Sequence, residues 1–186
     1  MRMLFPDAVG VVDPVSVHSD LPRNELRPSV RLNMIVSVDG GTSWGGVSGA
    51  LGGPADKALF GVLRSFADVV LVAAGTMRAE KYGPVQMSHG MQDTRRNRGQ
   101  APIPPVAVVS RSCQMDWETP FFTAAVARPL VVTVAAAAAV DRTRAAAVAD
   151  VIVAGDRDVD LSAALDELAV RGSANVLAEG GADTQW

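Results

Sequence analysis

Glu179 stands between the apolar run 175–178 and the pair Gly180-Gly181. A carboxylate so placed is partly desolvated unless it meets a ligand or a hydrogen-bond donor. The two glycines offer bare backbone amides; if they open a helix they suit an anion such as a pyrophosphate, and otherwise they form a tight turn. Three more clusters follow apolar runs. Gly75-Thr76 gives backbone free to approach a ligand plus a hydroxyl, or a plain N-cap. Ser110-Arg111-Ser112 supplies the hydroxyls and guanidinium that a terminal phosphate monoester needs, or a solvated turn. Ser37 and Asp39, beside Gly40-Gly41, put a second carboxylate at a strand end, where a turn residue is the plainer use. Arg64 ends a helical face and either reaches an anionic ligand over the sheet edge or caps its own helix. His18 and His89 lack any partner at metal-ligand spacing, so no metal site is expected.

The elements that carry these groups follow from periodicity. Residues 30–38 form an apolar, β-branched run closed by Asp39-Gly40-Gly41, which predicts a buried strand and a turn. A glycine-rich loop over 42–53 leads to Pro54, where a helix begins; Leu59, Phe60, Leu63 and Phe66 mark its buried face. Residues 69–74 read as a central parallel strand, and 76–81 as a short helix. Strands are expected at 105–109, 130–134, 151–154 and 175–178, with helices over 135–149 and from about 161 to Gly172. Asp160 or Ser162 caps the last helix, and Asp141 is assigned to the exposed side of the alanine-rich one. The polar stretch 86–100, with Arg95, Arg96 and Arg98, reads as a solvated surface excursion. Residues 1–28 hold four prolines without periodicity and are expected to form an extended N-terminal arm. Strands alternating with helices give an α/β, three-layer fold: a mostly parallel sheet flanked by helices, with its ligands beyond the carboxyl ends of the strands. The four clusters are therefore expected to converge.

Composition narrows the classes of function. The chain has 186 residues, 48% hydrophobic and 20% charged, enough for one packed core. A net charge of −3 and a pI near 5.3 give no global field for nucleic acid or an anionic membrane. Cys113 is the single cysteine, which excludes an internal disulfide and agrees with a reducing cytoplasm; it reads as a small core residue. No apolar run approaches the roughly 20 residues that span a bilayer.

Taken in order, the blocks Asn33-Met34-Ile35-Val36-Ser37-Val38-Asp39-Gly40, Ser48-Gly49, Leu63-Arg64, Ala67-Asp68-Val69-Val70-Leu71-Val72 and Gly75-Thr76-Met77-Arg78-Ala79-Glu80 resemble a known family. Val108-Val109-Ser110-Arg111 and Val176-Leu177-Ala178-Glu179-Gly180-Gly181 complete the pattern. The family is the riboflavin-biosynthesis pyrimidine reductase domain, which has the dihydrofolate-reductase-like fold. The resemblance covers residues 28–181 and implies an NADPH-dependent, cytoplasmic, homodimeric enzyme. Its reaction would convert the ribosyl group of a phosphorylated aminopyrimidine to ribityl; a pterin reductase and a non-catalytic nucleotide-binding remnant are the alternatives. On that resemblance Ser37, Ala50, Gly75, Thr76, Glu80, Ser110, Arg111, Gly180, Gly181, Ala182, Asp183 and Thr184 would lie along the cofactor. Asn33, Ser48, Arg64, Tyr82, Gly83 and Glu179 would face the substrate, with Arg64 on its phosphate. Asp39 would sit near the nicotinamide, and Asp39 and Glu179 are the candidates for handling the proton, with water as the alternative donor. Relative to the family the reductase domain, 29–186, is expected to be C-terminally incomplete. No deaminase-like His-x-Glu with paired cysteines precedes these blocks.

Overall fold

The structure, a computed structural model, describes residues 2–3, 9–19 and 27–180. At its start β1 (Arg2–Met3) pairs antiparallel with β2 (Val9–Val11), and α1 (Pro14–His18) follows. The expected extended arm thus carries a small ladder and a helical turn. The cause is local: Asp13 accepts from the Val15 and Ser16 amides as an N-cap, and Pro14 occupies the first helical position, where its missing N–H costs nothing.

The remaining elements alternate. They are β3 (Ser29–Asn33), α2 (Pro54–Phe66), β4 (Val69–Ala73), α3 (Ala74–Ala79), α4 (His89–Asn97), β5 (Val106–Val109) and α5 (Pro120–Thr123). After these come β6 (Leu130–Thr133), α6 (Ala139–Val148), β7 (Asp150–Val153), α7 (Leu161–Val170) and β8 (Asn175–Glu179). Pro54 opens α2, Asp160 caps α7 through the Ala163 amide, and Gly172, at φ +86°, turns the chain out of α7.

Strands β3 to β8 form one parallel sheet in the order β3-β8-β4-β5-β6-β7. Two apolar clusters sit on its two faces. Leu63 of α2, Met77 of α3, Phe121 and Phe122 of α5 and Ala145 of α6 pack with Val70, Val72, Val106, Val108 and Leu177. Ala164 and Leu168 of α7 pack on the other face with Val69, Leu71, Val132 and Val176. This is the expected three-layer α/β arrangement. No helix among the described residues is long and apolar enough to cross a membrane.

Three expectations are corrected. The strand read over 30–38 stops at Asn33 and is an edge strand, so Val30 and Leu32 are about half exposed rather than buried. Among the described residues it has a ladder partner on one side only, β8, and hence half the cover of the central strands. Second, the stretch 86–100 is no solvated excursion. It contains α4, whose Arg95 is fully buried and donates to the carbonyls of Ser65 at 3.0 Å and Ala67 at 2.6 Å, at the end of α2. The orphan carbonyls and negative dipole end of α2 accept this cation, although burial lowers its pKa to about 10. Third, Asp141 is buried on α6, where Gln114 Nε2 donates to it at 3.4 Å.

Candidate active site

The chain winds from β4 outward to β7 and then returns to lay β8 between β3 and β4. At such a reversal the connecting segments separate beyond the carboxyl ends, which leaves a crevice. Glu179 is the last residue of β8 and is in register with Asn33 of β3 and Val72 of β4. A cleft of about 380 Å³ opens there, lined from β3 by Asn33, from α2 by Lys57, Phe60 and Arg64, and from the segment after α3 by Glu80, Lys81 and Tyr82.

The floor of this cleft is a closed polar cluster. Arg64 donates from Nε to Glu179 Oε1 and from Nη2 to Oε2, each at 2.7 Å, and Tyr82 Oη donates to Oε2 at 2.6 Å. The Arg64 guanidinium also lies over the Phe60 ring, 4.2 Å from its centroid, a cation–π contact. Burial on its own lowers the Arg64 pKa, but the hydrogen bonds and charge of Glu179 outweigh it and the net shift is upward. Tyr82 is pushed well above the ordinary phenol range, by burial first and by the neighbouring carboxylate second. The cluster is therefore a fixed guanidinium, a carboxylate with three donors and a phenol that keeps its proton.

Lys81 brings Tyr82 into place. It adopts φ +49°, which turns the chain at the end of α3 and lets the Tyr82 amide donate back to the Met77 carbonyl at 3.0 Å. A lysine in the left-handed region is strained.

The cleft gathers Asn33, Ser48, Arg64, Thr76, Glu80, Tyr82, Gly83, Glu179 and Gly180 from the sequence-derived set. Arg64 gives two of its five N–H donors to Glu179 in this structure. Ser37, Asp39, Ala50 and Gly75 do not line the cleft. Asp39 is an exposed turn residue that accepts from Ser37 Oγ at 2.5 Å, and this hydrogen bond lowers its pKa. Ser110 is buried at the end of β5, while Arg111 borders a second, more open concavity over the ends of β5 and β6 together with Arg157 and Asp158. Arg111 pairs there with Asp158 at 3.2 Å, both largely exposed. Gly181, Ala182, Asp183 and Thr184 lie outside the described residues. Among the described residues no group of acidic, histidine and cysteine side chains is disposed to hold a metal.

The cleft also holds Asp56, Lys57 and Phe60, which the sequence reading did not assign to it. Their signal was present: Lys57, Phe60 and Arg64 recur at the three- and four-residue spacing of one helical face.

The family described as the RibD C-terminal domain matches residues 28–186. A pyrimidine reductase-like protein from Corynebacterium diphtheriae is 30% identical, with a TM-score of 0.77 over 91% of this chain and 73% of that one. Riboflavin biosynthesis reductase Rib7 of Saccharomyces cerevisiae is 19% identical, at a TM-score of 0.60 over 87% of this chain and 66% of its own. A diaminohydroxyphosphoribosylaminopyrimidine deaminase/5-amino-6-(5-phosphoribosylamino)uracil reductase of Thermotoga maritima is 18% identical, at 0.53, over 83% of this chain and 39% of its own. The last two likenesses are of fold. No curated protein matches the chain significantly.

Proposed function

The chain belongs to the RibD C-terminal domain family, and from that premise we propose that it is an NADPH-dependent reductase. Its substrate is a phosphorylated ribosylaminopyrimidine, whose sugar it converts to the ribityl form. The observation that carries this reading is the Arg64–Glu179–Tyr82 cluster at the floor of a cleft beyond β8. Such a rigid acceptor and donor set suits the hydroxyls of a sugar held for reduction at one carbon.

The residues fit a dinucleotide phosphate cofactor on the chemistry of their donors. A Cβ on Gly75 would meet nothing within 4 Å, so backbone approach there is open. Arg111 and Arg157 border the concavity over β5 and β6 and would take the phosphate that distinguishes NADPH from NADH. When bound, NADPH supplies the hydride. The chain orients the sugar through Glu179 and Tyr82 and keeps Tyr82 protonated. Glu179 accepts hydrogen bonds from Arg64 and Tyr82, and Asp39 lies in an exposed turn outside the cleft, so solvent reaching the cleft is assigned as the source of the accompanying proton. With two Arg64 donors engaged by Glu179, Lys57 and Lys81 on the same cleft are assigned to the substrate phosphate.

NADPH oxidation by the purified chain tests the reading. It requires turnover with the phosphorylated ribosylaminopyrimidine and none with dihydrofolate. Turnover of dihydrofolate alone would make the protein a pterin reductase, and failure to perturb NADPH fluorescence would leave it no reductase.

A further inference from the structure

The 42–53 loop forms part of the cleft wall through Thr42, Ser48 and Gly49, yet almost nothing apolar holds it in place. Five of its twelve residues are glycine, none of the twelve is buried, and Trp44 is 75% exposed. Its internal order is small. A Trp44–Val47 bridge closes around Gly45 and Gly46, both at positive φ, and the Leu51 amide donates to the Ser48 carbonyl at 2.9 Å. A chain of this composition has many conformations of similar energy, so its position must come from a specific contact.

That contact is Glu80. Its Oε1 accepts from the Ser48 amide at 2.5 Å and from Ser48 Oγ at 2.8 Å, across 32 positions of sequence. Its Oε2 lies 3.4 Å from where a Cβ on Gly49 would stand, so the loop backbone rests against the carboxylate. Glu80 is itself fixed: its amide donates to the Thr76 carbonyl at 2.9 Å, and α3 is anchored in the core by Met77, 6% exposed.

We infer that Glu80 is a positioning residue, a latch whose carboxylate holds the 42–53 loop through Ser48 and thereby sets one wall of the cleft. The inference rests on reading that cleft as the substrate site. It goes beyond the place along the cofactor that family resemblance implies for Glu80, since both contacts to Ser48 are made by Oε1. Glu80 acts through Ser48 and Gly49, and its removal is felt as lost substrate binding.

Hydrogen–deuterium exchange of the intact chain, read beside steady-state kinetics, tests it. Glu80→Ala is expected to speed exchange of the 42–53 peptide by about tenfold and leave peptides from β4 and β8 unchanged. In the same variant the substrate KM rises about tenfold while kcat stays within about threefold. Glu80→Gln, which retains an acceptor oxygen, restores most of the protection and most of the KM. Unchanged loop exchange in Glu80→Ala overturns the latch, as does equal acceleration in β4 and β8. A Glu80→Gln variant with a protected loop and the KM of Glu80→Ala also overturns it, since the carboxylate would then touch the ligand itself. If the unaltered chain reduces no pyrimidine, the function proposed above fails, and the exchange comparison still decides the latch by itself.

Discussion

Arg64, in the last turn of α2, and Glu179, at the end of β8, are 115 positions apart and meet in a two-point ion pair with both N···O distances at 2.7 Å. Their side chains are 20% and 4% exposed. The pair ties the helix to β8, the strand laid between β3 and β4, and it does so at the cleft floor. A buried pair of this kind is costly to break from one side, because the survivor is left as an uncompensated charge.

Arg64→Met is therefore expected to lower folding stability by about 3 kcal/mol, and Glu179→Gln by less, because a glutamine oxygen still accepts from Tyr82. Denaturant titration of both variants and of the double variant measures this. Losses that add in the double variant would remove the coupling that the geometry implies.

Tyr82 is the only tyrosine in the sequence, so phenolate absorbance reports it alone. Its pKa is raised above 10.0, chiefly by burial and then by Glu179. A raised folded pKa contributes stability that is fully present below the unfolded value and is lost as pH rises through the folded one. The native chain should thus show no phenolate at a pH where the denatured chain is half ionised. Its stability should decline only in alkali, and Tyr82→Phe should flatten that decline. A native titration midpoint at the denatured value would place Tyr82 in water.

Lys81 separates folding from binding. Its φ of +49° is strained for lysine and natural for glycine. Lys81→Gly should leave stability unchanged or raise it by up to about 1 kcal/mol. The same change removes a cation from the cleft, and the substrate KM should rise about tenfold. A loss of stability would mean that the lysine side chain packs more than its backbone strains.

Arg111 should discriminate between cofactors. Arg111→Ala is expected to weaken NADPH by about tenfold and NADH by less than about twofold, measured as dissociation constants by cofactor fluorescence. Equal weakening of both would move the extra phosphate elsewhere. The exposed pair with Asp158 is worth little to folding, so the melting temperature should hardly change.

Much of the fold was legible because burial leaves a period. The run 69–73, bounded by Asp68 and a helix start, and the face Leu59, Leu63 and Phe66 of α2 announce their elements. Composition misled at 30–38, where an apolar, β-branched run suggested a buried strand but only the part up to Asn33 is strand, at the edge of the sheet. Composition misled at Arg95, since a cation is read as solvated unless the carbonyls that receive it are known. Of the cleft, Thr76, Glu179 and Gly180 were legible as residues that follow strands, but the same signal pointed to Ser37, Asp39, Ser110 and Arg111, which lie outside it, so the four clusters do not converge there. Lys57 and Phe60 share a helical face with Arg64, a spacing present in the sequence, but that face carries both core and cleft contacts and the spacing does not separate them.

The sequence by itself determined that strands and helices alternate, that Glu179 ends a strand, and that Arg64, Glu80 and Tyr82 lie near helix ends. These are local properties, set by periodicity, caps and breakers within a few residues. Only the tertiary structure decided that β8 inserts between β3 and β4, that Arg64 and Tyr82 donate to Glu179, and that Glu80 holds Ser48. Partners 97 and 115 positions apart are chosen by strand order and by the desolvation of the Glu179 carboxylate at the sheet's carboxyl edge, and the pair 32 apart by the anchoring of α3 beside the loop. None of these is encoded in any short stretch of chain.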